Sequence, residues 1–214
     1  MRRLKPLFDN NREWASKKKQ QNPHYFQNLA KGQNPKYLWI GCSDSRVPAN
    51  EIIGLEPGEL LVHRNVANLF PHTDLNCLSV LEFGVRMLKV EHVIVCGHYG
   101  CSGVQSAMED HHLGLIDNWL RSIRDTHAQS KQELATCPDA KAKHNRLVEL
   151  NVLQQVYNVC HTTIVQEAWL GWSLIHILYL VGFRNRITVA TQWLFSYFSS
   201  KKGARLIYRH LDKE

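Results

Sequence analysis

The chain has 214 residues, 44% of them hydrophobic and 21% charged, which suits one domain with a substantial core and excludes intrinsic disorder. The formal net charge is +7, but the basic residues are scattered, and the tight groups Lys17–Lys19 and Lys201–Lys202 lie near the ends. Because no nucleic-acid motif accompanies them, a solvated face explains this charge better than binding to nucleic acid or a membrane surface.

The six cysteines indicate the compartment. Secreted chains typically pair their cysteines in disulfides and begin with a leader that has a charged start and an apolar middle, a pattern not seen here. Thiols placed next to histidine fit a reducing interior in which they bind metal, so we expect a cytoplasmic protein. The apolar stretch Ala168–Phe183 is shorter than the about 20 residues of a spanning helix, so we expect no membrane segment.

Residues 1–36 predict an N-terminal helical arm. An amphipathic helical pattern runs from Asn10, aromatic residues follow at Tyr25 and Phe26, and a Gly/Asn/Pro break lies at Gly32–Pro35. The aromatic side chains need an apolar surface to cover. That surface belongs either to the chain's own domain or to a partner subunit.

Residues 37–182 predict an α/β domain with a central, mostly parallel β-sheet flanked by helices. Apolar runs predict parallel strands at Tyr37–Gly41, Glu59–Arg64 and His92–Gly97. A short helix is expected at Pro48, and Asp74 is the expected N-cap of a helix that crosses over to the third strand. We expect about four parallel strands in all.

The rest of the chain is predominantly helical in pattern, over Leu113–Ile123 and Pro138–Leu170, followed by a strand at Leu174–Val181. The later helix is expected to bury an apolar stripe formed by Leu147, Leu150, Val156, Tyr157, Cys160 and Ile164. Cys77, Cys137 and Cys160 are expected to have no chemical role. Residues 183–214 form an atypical tail for which the pattern predicts no definite structure.

Two strand ends carry the residues that indicate chemistry. Cys42 and Asp44 follow the first predicted strand, and His98 and Cys101 follow the third. The carboxyl ends of parallel strands face one crevice, so these loops can share a ligand. Two thiolates, an imidazole and a carboxylate are the side chains that tetrahedral Zn²⁺ takes, and a site with three firm ligands leaves a position for water.

Each half of this motif, taken alone, also fits a structural role. Cysteine is commonly a small buried hydrophobe, and histidine is often a satisfied polar group near the surface. The main alternative to a metal site is a redox-active dithiol of the thioredoxin kind, but the chain has no Cys-x-x-Cys pair. The joint placement of the two halves after apolar runs favours a metal site.

At these residues the chain resembles the β-class carbonic anhydrases, in particular the bacterial members. The resemblance is continuous from about Asn10 to Leu170, and beyond Leu170 the sequence departs from the family's ending. It is carried by four segments, which are Cys42–Pro48, His63–Asn68, Cys96–Cys101 and Thr162–Trp169.

The resemblance implies a zinc enzyme that hydrates carbon dioxide reversibly to bicarbonate and a proton, by attack of zinc-bound hydroxide. One Zn²⁺ per chain would be held by Cys42, His98 and Cys101. Asp44 and Arg46, two residues apart on an extended loop, point the same way and can form a bidentate pair in which Asp44 accepts the hydroxide proton in a hydrogen bond and so orients the lone pair of the hydroxide at carbon.

Two further properties follow from the resemblance. In the bacterial branch Asp44 would switch between ligating zinc, which closes the site, and pairing with Arg46, which opens it. Bicarbonate would favour the closed state by binding a regulatory pocket, for which the candidates are Trp39, Arg64 and, in place of the family's tyrosine, Tyr179. The family also implies an antiparallel edge strand and a homodimer or homotetramer.

Two other functions stay open at this point. The chain could be a catalytically impaired protein of the same fold that binds zinc and senses bicarbonate. It could instead hydrolyse a carbon dioxide analogue such as COS or CS₂, since a narrow apolar mouth separates those substrates. An assay of carbon dioxide hydration with and without a chelator distinguishes the three.

Overall fold

The computed structural model describes residues 4–109 and 112–168. Its centre is a parallel sheet of three strands in the order β2-β1-β3, formed by β1 (Tyr37–Cys42), β2 (Leu60–Asn65) and β3 (His92–Cys96). Each strand lies within one residue of its predicted bounds. The expected α/β class with a parallel sheet flanked by helices is confirmed.

The described residues contain one parallel strand fewer than the about four that were expected. The edge strand predicted at Leu174–Val181, the pocket candidate Tyr179 and the tail 183–214 lie outside the described residues. In the described part of the chain, no helix has the length and apolar character needed to cross a membrane.

Helices surround the sheet and connect its strands. Their bounds are α1 (Lys5–Gln21), α2 (Tyr25–Leu29), α3 (Ala49–Ile53), α4 (Leu75–Glu82), α5 (Ser102–Met108), α6 (Ile116–Trp119), α7 (Arg121–Gln129), α8 (Lys131–Ala135), α9 (Ala140–Cys160) and α10 (residues 163–168). A 3₁₀ turn follows β2 at Val66–Asn68, and a π-helical turn extends α4 over Phe83–Met87.

Local capping sets where two of these helices begin. Asp74 accepts a hydrogen bond from the backbone N–H of Asn76 at 2.9 Å, which confirms it as the N-cap of α4. Asp139 caps α9 in the same way by accepting from the N–H of Ala142 at 2.7 Å. Such caps satisfy N–H groups that have no partner within the helix.

The predicted helix Pro138–Leu170 is interrupted after Cys160, and its predicted stripe is only partly right. Tyr157 is 55% exposed, whereas Leu147 is buried as expected. The buried side chains of α9 are His144, Leu147, Val148, Asn151, Gln155 and Val159. Three of these are polar, and they face the core because backbone groups of distant loops provide hydrogen-bond partners there.

Candidate metal centre

The carboxyl ends of β1 and β3 bring together two thiols and an imidazole. Cys42 is the last residue of β1, His98 follows β3, and Cys101 precedes the first residue of α5. The ligand atoms of these three residues all lie within 4.8 Å of one another, and they are the metal-ligating cluster found in the described residues. Asp44, the fourth predicted ligand, lies beside this cluster.

The geometry of the cluster fits Zn²⁺. The two sulfur atoms are 3.9 Å apart, and two sulfurs bound at 2.3 Å to a tetrahedral ion are separated by about 3.8 Å. Nδ1 of His98 lies 3.0 Å from the carbonyl oxygen of Tyr99, and Nε2 is buried without a hydrogen-bond partner in the described residues. A carbonyl partner at Nδ1 leaves the lone pair of Nε2 to coordinate a metal.

Both sulfur atoms receive backbone hydrogen bonds as well. The Cys42 and Cys101 thiols share a hydrogen bond, which lowers the pKa of Cys42 and raises that of Cys101. The N–H of Asp44 donates to the Cys42 sulfur at 3.4 Å and lowers the pKa of Cys42 further, while the N–H groups of Val104 and Gly103 oppose the rise in the pKa of Cys101. Cys42 therefore favours the thiolate, which is the form that binds metal.

Asp44 forms the bidentate pair with Arg46 that the spacing suggested. Nε of Arg46 donates to Oδ1 at 2.9 Å, and Nη2 donates to Oδ2 at 2.6 Å. Hydrogen bonding from the Arg46 side chain holds the pKa of Asp44 well below its usual range. Oδ2 lies 3.7 Å from Nε2 of His98, so an ionised carboxylate stands beside the ligand cluster.

Arg64 contacts the backbone of the loop that follows β1. Its Nε donates to the carbonyl oxygen of Cys42 at 2.8 Å, and its Nη2 donates to the carbonyl oxygen of Asp44. Trp39 is buried, and its indole lies where a Cβ on Gly41 would be. Because Gly41 is paired in register with Arg64, Trp39 and Arg64 lie on the same face of the sheet.

Sequence reasoning missed several residues that fix the two loops. Nε2 of His144 lies 3.2 Å from the carbonyl oxygen of Cys101, and Nδ2 of Asn151 donates to the carbonyl oxygen of Ala67 at 3.0 Å. Tyr99 donates to Glu149 at 2.8 Å. His144 and Asn151 lie three residues before and four residues after Leu147, so this spacing was the available signal that they share its buried face of the helix. Polar residues on a helix are usually assigned to the solvent face instead.

Comparisons with known proteins give one family. A family model described as "Carbonic anhydrase" matches residues 37–182. A carbonic anhydrase of Emericella nidulans is 48% identical over 172 residues, covering 79% of this chain and 75% of the relative. This relative is fungal, whereas the sequence motifs suggested the bacterial branch.

Solved structures agree with the sequence match. A structure from a study of two tetrameric β-carbonic anhydrases of Sordaria macrospora aligns with a TM-score of 0.76 and 38% identity, covering 78% of this chain and 86% of the other. The Coccomyxa β-carbonic anhydrase in complex with acetazolamide aligns with a TM-score of 0.74 and 40% identity, covering 78% and 75%. With a ligand cluster that suits zinc, these matches lead to one conclusion: the chain belongs to the β-class carbonic anhydrase family.

Proposed function

We propose that the protein catalyses the zinc-dependent, reversible hydration of carbon dioxide to bicarbonate and a proton. The observation that supports this most directly is the meeting of Cys42, His98 and Cys101 beside an ionised Asp44 held by Arg46. Carbon dioxide is a small electrophile, so its hydration needs an activated water and a group that accepts a proton.

Cys42, His98 and Cys101 would hold the metal. Zinc bound there would act as a Lewis acid that lowers the pKa of a water molecule and supplies a nucleophile near neutral pH. Asp44 would accept a hydrogen bond from that water at Oδ2, and Arg46 would keep the carboxylate ionised and oriented. Two thiolates reduce the positive charge of the metal and make it a weaker acid, so the Asp44–Arg46 pair has to compensate.

We also propose the switch in which Asp44 either ligates zinc and closes the site or pairs with Arg46 and opens it. The bidentate contact corresponds to the open arrangement, and the 3.7 Å separation between Oδ2 of Asp44 and Nε2 of His98 leaves the carboxylate close to the cluster. Bicarbonate regulation through Trp39, Arg64 and Tyr179 remains part of the proposal, supported by the common face of Trp39 and Arg64.

The assembly and location are proposed on separate grounds. A homodimer or homotetramer is supported by the tetrameric relatives from Sordaria macrospora and by the exposed apolar side chains of α1. A cytoplasmic location is supported by cysteines that are all free thiols. Division of the chain into the arm 1–36, the zinc domain 37–182 and the tail 183–214 also stays a proposal.

The test compares Cys42→Ser and Asp44→Ala with the wild-type protein. Cys42→Ser should lose stoichiometric zinc and with it all carbon dioxide hydration, because one of three firm ligands is gone. Asp44→Ala should retain zinc by elemental analysis but lose about 100-fold or more in the hydration rate measured by stopped flow, the scale of a side chain positioned to hold the reacting water by its proton.

Three results would contradict this proposal. Full zinc occupancy in Cys42→Ser would remove the ligand set, and near-normal rates in Asp44→Ala would remove its catalytic role. A wild-type protein that binds zinc without chelator-sensitive hydration would be a binding or sensing protein, or a hydrolase of COS or CS₂.

A further inference from the structure

The core-facing side of α9 carries a row of amides. Asn151 and Gln155 are 1% and 0% exposed, and a buried amide is costly unless its polar atoms are hydrogen-bonded. Gln154 Nε2 donates to Asn158 Oδ1 at 2.9 Å, and Asn158 Nδ2 donates to Gln155 Oε1 at 3.2 Å. Gln155 Nε2 then donates to Asn151 Oδ1 at 3.0 Å, and Asn151 Nδ2 reaches the carbonyl oxygen of Ala67 at 3.0 Å.

Contacts with backbone groups fix which atom of each buried amide is the oxygen and which is the nitrogen. The N–H of Phe70 can only donate, so the atom of Gln155 that lies 2.8 Å from it must be the oxygen. The amide nitrogen of Gln155 therefore faces Asn151, and the nitrogen of Asn151 faces the carbonyl of Ala67, which can only accept. Each amide has one consistent orientation.

Ala67, the residue at the end of the row, has a left-handed backbone with φ 62° and ψ 27°. This conformation is unfavourable for a residue with a Cβ and persists only where its surroundings hold it. The residue is completely buried. Its carbonyl is held by Asn151, and the residue belongs to the same buried cluster as Cys42 and Cys101.

Ala67 also touches the second ligand loop. A Cβ on Gly103 would lie 3.1 Å from the Cβ of Ala67, so the two backbones pack closely. Gly103 is the second residue of α5, which begins directly after Cys101. Ala67 thus packs against the segment that follows Cys101, in the same buried cluster as Cys42, and its conformation influences how both loops approach the metal.

We propose that Asn151 is a positioning residue for the zinc centre, which holds Ala67 in its left-handed conformation so that Ala67 keeps its close packing against Gly103 and the loops that carry Cys42 and Cys101 keep their positions. This inference rests on the ligand role proposed for Cys42. Without the amide donor, Ala67 relaxes toward negative φ, its packing against Gly103 changes, the two ligand loops shift, and the metal leaves more easily. Residues that hold the metal ligands in place without touching the metal commonly control metal affinity in this way.

The experiment measures the rate at which the full-length zinc protein releases zinc to an excess of chelator. Asn151→Ala should release zinc about tenfold faster than the wild type, a typical effect of losing such a partner. Thr126→Val is the matched control, because it removes the buried hydrogen bond from Thr126 to the Ser122 carbonyl and leaves the zinc loops untouched. The control should lower thermal stability without changing zinc release.

Ala67→Gly in the Asn151→Ala background separates positioning from general stability. Glycine adopts positive φ about as readily as negative φ, so the double variant should return toward the wild-type release rate. A purely structural role of Asn151 predicts no such recovery. If Asn151→Ala does not fold, Asn151→Leu, which fills the space, is compared in the same way.

The inference is overturned if Asn151→Ala releases zinc no faster than Thr126→Val, or if Ala67→Gly restores nothing. Cys42→Ser distinguishes these failures from failure of the proposed function. Zinc lost in Cys42→Ser with normal release in Asn151→Ala refutes only the positioning role, whereas zinc retained in Cys42→Ser refutes the ligand set itself.

Discussion

Two buried thiols of this protein differ in chemistry because their neighbours differ. The Cys42 sulfur is hydrogen-bonded to Cys101 and receives the backbone N–H of Asp44, and both contacts lower its pKa. The Cys77 sulfur instead lies 3.0 Å from a carboxylate oxygen of Asp74, to which its thiol donates. Burial, followed by this contact, raises the pKa of Cys77 to about 12. Burial alone therefore does not decide the reactivity of a thiol.

Cys77 should resist alkylation in the native protein. The thiolate is the reactive form, and it is scarce at pH 8 for a thiol with so high a pKa. Iodoacetamide followed by peptide mass spectrometry should find Cys77 unmodified when folded and modified in urea. Asp74→Asn, which removes the charge but keeps a capping side chain, should speed alkylation. Equal rates in folded and unfolded protein would contradict this expectation.

At the scale of elements, the contact between the end of β3 and α9 leaves no room for a side chain at Gly97. A Cβ there would lie 2.6 Å from Cγ2 of Val152 and 3.4 Å from Cγ1 of Val148. Valine on a helix has essentially one χ1 rotamer, so it cannot turn aside. This packing fixes where the chain leaves β3, one residue before His98.

Gly97→Ala should therefore lower the free energy of unfolding by about 1–3 kcal/mol, the usual cost of overpacking a core. Val152→Ala in the same protein should recover part of this loss, because it removes the methyl groups that clash. Urea unfolding of the two single variants and the double variant measures the coupling. If the losses in the free energy of unfolding of the two single variants simply add in the double variant, an alanine at position 97 does not contact Val152.

At the scale of the whole molecule, no residue of α1 is buried by the described part of the chain, and the apolar side chains of Leu4, just before α1, and of Leu7 and Phe8 in its first turn are exposed. Farther along, Trp14 packs edge-on against Tyr25 and Phe26, with ring centroids 6.5 and 5.7 Å apart. The arm thus has an internal aromatic contact and an apolar end that is exposed among the described residues. In the proposed homodimer or homotetramer, a partner subunit would cover that end.

Leu7→Glu combined with Phe8→Glu should reduce the assembled mass measured by light scattering, since two charges would replace apolar area at a subunit contact. The matched control is Asn10→Glu with Asn11→Glu, which adds the same charge to neighbouring exposed polar positions of α1. An identical mass for all three proteins would place the subunit contact elsewhere.

Much of the fold and the metal cluster could be predicted from the sequence, because they depend on local signals and on one rule of topology. Apolar runs located β1, β2 and β3 to within one residue, and Asp74 marked the start of α4. Strand ends of a parallel sheet share one edge, so Cys42 and His98 were expected to meet, and their ligand atoms do so.

The environment of that cluster was decided only by the tertiary structure. The sequence could not show that Asn151 and Gln155 face the core while Tyr157 faces solvent, nor that Arg64 holds the carbonyls of the first loop. Periodicity identifies a helix face, but whether a polar side chain can be buried depends on a partner from another element. Here those partners are backbone groups of Ala67 and Phe70, more than 80 residues away along the chain.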